Sequence, residues 1–212
     1  MVTKKNVLIT AGPSWVALDK ARIISNTASG KTGLILSEQF KKNRAKVTLL
    51  LGPGDFSRSI ISGVRVINFK YFSELKRLLS SELRKRKYSA VIHAAAVADY
   101  RPEKMIQRKV SSGLDNWKIK LVPTEKLVNG LKRYSPGLTA VGFKFEPGAG
   151  KSKLIKKGNS LLKQANLDLV VANSNKNKAY QAYILDGRNK FGPFLNKVAM
   201  ADCLSKLVMK KI

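Results

Sequence analysis

The stretch ISNTASGKTG, Ile24 to Gly33, carries the most suggestive chemistry in the chain. Its Gly30-Lys31-Thr32 matches the end of the phosphate-cradling loop of nucleoside triphosphatases, G-x-x-x-x-G-K-[ST]. That loop needs a glycine five positions before Gly30, where this sequence has Ser25. It must also follow a strand directly, yet the first strand-like run, NVLIT at 6–10, ends well upstream. A standard loop of that kind is excluded. Part of its physics survives. Small residues from Ser29 to Gly33 let the backbone approach a ligand, and free N–H groups at a helix start favour anions. A tight loop with a helix cap explains the same residues. The dinucleotide fingerprint G-x-G-x-x-G is missing too, because TAGPSW after the first strand holds one glycine. A nicotinamide-dependent reductase therefore lacks its motif.

Lone residues narrow the chemistry further. With one histidine, His93, and one cysteine, Cys203, the chain has no ligands for a His-rich metal site, a Cys-based metal cluster or an internal disulfide framework. His93 precedes Ala94-Ala95-Ala96, small enough to admit a nucleotide; its ring reads as a core histidine. Cys203 stands at helical spacing with Met200, Leu204 and Leu207 and reads as a core thiol. The 41 Lys and Arg against 13 Asp and Glu give a formal charge of +28. Such a field draws anions: nucleotides, phosphorylated metabolites, nucleic acid or anionic membrane. Solvated lysine faces explain it equally. A nucleic-acid or anionic-surface binding protein is the rival reading, and it predicts a continuous basic face with interleaved aromatics. The basic residues are instead scattered, as in KKNRAK, RKRK and KLIKK.

These residues need a scaffold, and 212 residues suffice for one domain, expected over 1–212, with a real core. Buried strands are expected at 6–10, 46–52, 64–69, 89–97, 138–143 and 167–173, and a half-exposed strand where WKIKL alternates at 117–121. Helical spacing runs from about Thr32 to Asn43, through Leu75 to Leu83 with Ser73 as cap, from Thr124 through Leu131, around 151–165, and over 196–210. Asp186-Gly187 marks the bend of a C-terminal β-hairpin. Strands alternating with helices predict an α/β fold: a mostly parallel sheet with helices on both faces. Ligands of such sheets bind beyond the carboxyl ends of the strands, which singles out 11–33, 52–60, 98–116, 144–152 and 173–178. No apolar run is long enough for a membrane span, and the start MVTKKNVLIT lacks the long apolar region of a signal peptide. A cytoplasmic protein without membrane partners is expected.

Three stretches together resemble one family, phosphopantothenate–cysteine ligase, also called phosphopantothenoylcysteine synthetase. The first is ITAGPSWVALDKARIISNTASGKTG at 9–33, where Thr10, Ala11, Gly12, Asp19, Arg22, Ser25, Asn26, Ser29, Gly30, Lys31 and Gly33 fit the family pattern. The second is AAAVADYRP at 94–102, followed at a family-like distance by Lys109. The third is VGFKFE at 141–146 followed by DLVVAN at 168–173. The resemblance implies a Rossmann-like sheet and a two-step reaction. A nucleoside triphosphate, CTP or ATP with Mg²⁺, activates the carboxylate of 4′-phosphopantothenate; cysteine then attacks the acyl carbon. No flavin is implied, because the chain is too short for the fused decarboxylase domain of many bacterial members. A stand-alone ligase, a homodimer and a separate decarboxylase protein are the matching expectations.

The same resemblance implies roles. Asn26 and Lys109 are the catalytic candidates. His93, Ala94, Ala95, Asp99, Lys109 and Phe143 are expected at the nucleotide, with Arg101 the only nearby basic partner of Asp99. Gly12, Arg22, Asn26, Ser29, Gly30 and Lys31 are expected at the acid substrate. Departures occur at Val16-Ala17, where the family has Glu-Pro, at Ala28, and in TEKLV at 124–128. The lysine pair of CTP-using members falls on Leu161 and Ala165, so Lys144, Lys151 or Lys153 are the alternative cations.

Overall fold

A computed structural model describes residues 5–54, 61–85, 87–176 and 179–212. Eight strands form one twisted sheet. Six are parallel: β1 (Asn6–Ala11), β4 (Lys46–Leu51), β5 (Arg65–Asn68), β6 (Ala90–His93), β9 (Thr139–Phe145) and β10 (Leu169–Lys176). The antiparallel strands β11 (Ala179–Leu185) and β12 (Lys190–Phe194) extend one edge, giving the order β12-β11-β10-β9-β6-β1-β4-β5. This is the Rossmann-like order, with the expected hairpin turning at Asp186, whose carboxylate accepts the N–H groups of Arg188 and Asn189. Two small ladders lie outside the sheet: β2 (Val16–Ala17) with β3 (Ile23–Ile24), and β7 (Tyr100–Pro102) with β8 (Leu121–Pro123).

Alternate residues of each central strand point to opposite faces, and both faces are covered. Val7, Ile9, Val47 and Leu49 pack beneath α1 (Lys31–Lys42) and α5 (Lys197–Lys211), which bury Leu36, Phe40, Met200, Leu204 and Val208. Leu8, Leu50, Val91 and Ala140 meet α2 (Phe72–Arg84) and α3 (Leu131–Tyr134) on the other face. There α4 (Lys151–Gln164) sets Leu154 against Ala172 and Tyr183. Cys203, on α5, is half-buried against the first cluster, and burial pushes its thiol up. Among the described residues no helix is long and apolar enough to cross a membrane.

The structure corrects several local expectations. The WKIKL stretch forms no strand; pairing begins only at Leu121. Its partner β7 is three residues long, and upstream of Leu121 the ladder continues only as one bond, from Glu103 N to Lys120 O. The run 89–97 leaves the sheet after His93, because its continuation crosses to the loop that follows β1. Thr124 starts no helix: its hydroxyl donates to Ala98 O at 2.5 Å, and a 3₁₀ turn at Leu127–Gly130 precedes the one-turn α3. Nor does Ser73 cap α2. That helix begins at Phe72, with the Glu74 carboxylate accepting from the N–H groups of Lys70 and Tyr71. Part of the 52–60 and 173–178 stretches, residues 55–60 and 177–178, lies outside the described residues.

One buried carboxylate holds the end of α2. Glu82 accepts from the Tyr88 hydroxyl and from Lys85, with Arg65 at 3.2 Å and Lys87 at 3.3 Å. Burial pushes this carboxyl up, but Lys85, Tyr88 and Lys87 together pull it down to about 2.

Helix α1 approaches β1 more closely than a side chain would permit. A Cβ on Gly33 would lie 2.1 Å from Ala11 Cβ. On an open helix, Gly→Ala stabilises by about 1 kcal/mol. Overpacking here costs about 1–3 kcal/mol, and a clash between one Cβ and another cannot be relieved by rotation. Gly33→Ala should therefore lower the unfolding free energy by roughly 1–2 kcal/mol, seen as a lower urea midpoint at unchanged slope. A midpoint at or above wild type would mean that α1 lifts away freely.

Candidate active site

The two neighbours of β1 are β4 and β6, and the connections that leave the carboxyl ends of β1 and β6 lead to helices on opposite faces, α1 and α3. That divergence opens a crevice where ligands of doubly wound sheets bind. Here it is a cleft of about 880 Å³. Gly12 forms its floor; loop 26–33, the 93–97 segment, the turn at 124–129 and the end of β9 form its walls.

Hydrogen bonds continue past the strand ends and hold these walls. Ala94 N donates to Thr10 O, Ala96 N to Gly12 O at 2.9 Å, and Ser14 N back to Ala96 O at 3.2 Å. The Ser14 hydroxyl accepts from Ala98 N at 3.0 Å. Asn26 closes the set: its amide nitrogen donates to Ala96 O at 3.0 Å and Val97 O at 3.1 Å. Both donors are thereby used, and Oδ1 is left as an acceptor on the cleft wall. Gly12 has φ +81°, and a Cβ there would meet the Gly52 backbone at 3.1 Å, so glycine is required by conformation and by space.

Thr10 links the floor to His93. Its Oγ1 accepts from Ala95 N at 3.2 Å and lies 2.9 Å from His93 Nδ1. Burial pushes the imidazole down to about 4, so the ring is neutral near pH 7. The Thr10 hydroxyl and His93 Nδ1 share one hydrogen, donated by whichever of the two carries it.

A second set of bonds ties the loop after β1 to the segment after β7. The Asp19 carboxylate is fully buried and accepts from Ala21 N, Arg22 N, Val110 N and Arg22 Nη1. Arg22 Nη1 also donates to Val110 O, and its guanidinium lies 5.1 Å from the Trp117 ring centroid. Burial pushes the Asp19 carboxyl up, yet the three backbone N–H groups and Arg22 outweigh it and bring it down to about 2.

Gly12, Asn26, Ser29, Gly30, His93, Ala94, Ala95, Asp99 and Phe143 all line the cleft. Lys31 sits between two lining residues but is not itself one, and Arg22 is engaged in the Asp19 clamp. Lys109 is exposed on the 103–120 segment, outside the lining and next to the clamped Val110. Asp99 pairs with Lys126 at 2.5 Å, not with Arg101, which donates to the carbonyls of Pro102 and Glu103. Of the alternative cations, Lys144 lines the cleft but is held by Glu146 at 3.1 Å. Lys153 lies 3.7 Å from the same carboxylate, and Lys151 is exposed outside the lining. Sequence reasoning missed Lys157, Tyr180 and Lys197 on the walls. The signal available was KLIKK for Lys157; the other two belong to no motif.

Comparison with known proteins decides the family. Residues 2–210 match the DNA/pantothenate metabolism flavoprotein C-terminal domain. The chain belongs to this family. It is 34% identical over 172 residues to the coenzyme A biosynthesis bifunctional protein CoaBC of Thermococcus kodakarensis, a match covering 81% of this chain and 42% of that protein. The chain spans about half the length, or less, of the curated relatives it matches. Among solved structures, the DNA/pantothenate metabolism flavoprotein of Streptococcus pneumoniae superposes with a TM-score of 0.87 at 19% identity, covering 98% of this chain and 100% of that one. A Cab2 variant in complex with phosphopantothenate-cysteine superposes at 0.80 and 20% identity, covering 98% and 86%. The family fold is therefore present throughout the described chain.

Substituting Asp19→Asn places an amide N–H against Val110 N or Arg22, two groups that also donate. The Val110 amide should then exchange with solvent at least about ten-fold faster by hydrogen exchange. The sign with pH follows from the depressed carboxyl. In wild type the clamp is fully present above the ordinary 3.8 and is lost as pH falls through about 2. Unchanged Val110 exchange in the variant would show that the segment is held by other contacts.

Proposed function

We propose that this chain is a ligase of coenzyme A biosynthesis, joining 4′-phosphopantothenate to cysteine through an acyl-nucleotidyl intermediate. The observation that carries the reading is convergence. Three stretches far apart in sequence, around Asn26, Ala95 and Phe143, meet on one cleft at the switch point of the sheet. Support comes from the family, from relatives named for coenzyme A biosynthesis, and from the phosphopantothenate-cysteine bound by the Cab2 variant.

In this reading a carboxylate oxygen of the acid attacks the α-phosphorus of CTP or ATP and pyrophosphate leaves. The cysteine amine then attacks the acyl carbon, loses a proton, and releases the nucleoside monophosphate. The first step brings two anions together, so fixed cations must offset the charge that develops. Lys109 is assigned that role on its segment beside the cleft. The nucleotide is assigned to the wall of His93, Ala94, Ala95, Asp99 and Phe143, and the acid to Gly12, Asn26, Ser29 and Gly30. Asn26 acts there as an acceptor, since its donors hold Ala96 and Val97; it suits a hydroxyl or amide N–H of the acid. Neutral His93 keeps the floor uncharged. Among the described residues no three His, Cys, Asp or Glu side chains gather into a metal-binding group. The cleft carboxylates Asp99 and Glu125 are paired with Lys126 and Lys76, so Mg²⁺ would be carried by the polyphosphate oxygens. When bound, the metal would neutralise phosphate charge. The product is expected to pass to a decarboxylase, and the active form is a homodimer.

Pyrophosphate release should require 4′-phosphopantothenate, Mg²⁺ and either CTP or ATP, with amide formation requiring cysteine. No turnover with either nucleotide would end the ligase reading. Lys109→Ala should lower kcat/KM about 100-fold, and an unimpaired variant would remove Lys109 from the site. Sedimentation equilibrium returning a monomer would remove the dimer.

A further inference from the structure

One wing of the cleft carries positive charge that no ion pair among the described residues balances. Lys197 is the first residue of α5 and lines the cleft; among the described residues it makes no ion pair. Its ammonium stands 5.9 Å from the centroid of the Tyr180 ring, on the antiparallel strand β11. Burial pushes Lys197 down, and the nearby charge of Lys31 pushes it further. Lys31 too makes no ion pair among the described residues, and it opens α1 between the cleft residues Gly30 and Thr32. No side chain caps that helix: Gly30, with φ 70°, occupies the cap position.

The same wing holds an unused donor. The Tyr180 hydroxyl is buried and has no hydrogen-bond partner among the described residues. Burial pushes its ionisation well above the ordinary value of 10, so it remains a neutral donor. A buried hydroxyl without a partner is destabilising, and a ligand acceptor would relieve it. A half-buried cation, an orphaned hydroxyl and an uncapped helix start thus share one wing, with the charge of Lys31 close by. The opposite wing is different in kind: its Lys126 is already neutralised by Asp99.

We propose that Lys197, supported by Lys31 and Tyr180, forms a phosphate-binding subsite against the start of α1. The ligand class is a phosphoryl or polyphosphoryl group, and Lys197 is the residue on which its affinity depends. Two sources carry that chemistry in the proposed reaction: the nucleotide polyphosphate and the phosphate of the acid. The inference rests on the ligase reading only for which of them occupies the subsite.

Titration calorimetry separates the possibilities, with tripolyphosphate, the nucleotide and 4′-phosphopantothenate added singly to wild type, Lys197→Gln and Lys197→Arg. Loss of one charge-assisted contact should weaken at least one ligand about ten-fold to a hundred-fold in Lys197→Gln. Lys197→Arg should restore most of it, which a purely structural role at the helix start would not require. Weakening of tripolyphosphate and nucleotide together assigns the subsite to the nucleotide; weakening of 4′-phosphopantothenate alone assigns it to the acid. If Lys197→Gln binds all three as wild type does, or wild type binds none, the subsite is wrong whatever the turnover. Lys197-dependent binding without turnover would leave the subsite standing and remove the ligase reading.

Discussion

Everything at the cleft depends on how the chain satisfies its backbone where β1 and β6 stop being strands. At a switch point the connections diverge, so N–H and C=O groups that a continuing sheet would pair are left facing a cavity. Here the pairing is continued by hand. Gly12 O and Ala96 N, Ser14 N and Ala96 O, and the Ser14 hydroxyl with Ala98 N form a rail beyond the sheet. Asn26 then uses both amide hydrogens on Ala96 and Val97. The rail explains why small residues fill 94–96: their main chain, not their side chains, is the wall. It also explains why Gly12 must be glycine, since the rail brings it against Gly52.

The charge distribution follows a related logic. Acidic side chains are few, and several are spent on architecture. Asp19 joins two loops, Glu82 fastens α2, and Asp168 receives Ala140 N and Lys132 to set the start of β10. Carboxylates used this way carry opposite charges with them, so they do little to neutralise the cleft. The excess of +28 is thus not merely a solvated surface. Some of it faces the site, as Lys197 does, without an ion pair among the described residues. A site that binds anions benefits from this arrangement, because cations already desolvated and unpaired lose little more on binding.

Much of this was legible in the sequence. Continuous apolar runs such as NVLIT and SAVIHAAAV revealed a parallel sheet buried on both faces, and strand ends pointed to the right loops. Local chemistry was harder to read. WKIKL alternated like a strand, but a strand exists only with a partner, and β7 is three residues long. Asp99 seemed destined for Arg101 because that residue is near in sequence; the fold supplies Lys126 from the far side of a long excursion. Asn26 is a catalytic candidate from the sequence, and only the position of the Ala96 and Val97 carbonyls shows that its donors are taken.

Lys197 and Tyr180 were invisible for a more general reason. Their significance lies in a neighbour, Lys31, roughly 150 residues earlier in the chain. Three features bring them there: the reversal from β10 into β11, the hairpin to β12, and the return of α5 across the sheet onto α1. The antiparallel extension is usually read as a cover for a sheet edge, which would otherwise present unpaired N–H and C=O groups. In this fold it does more. By placing β11 beside β10 and anchoring α5 to α1 through Asn43 and Ser205, it carries a lysine and a tyrosine to the cleft. The outer wall of the site is therefore made by the part of the sheet that departs from the parallel pattern.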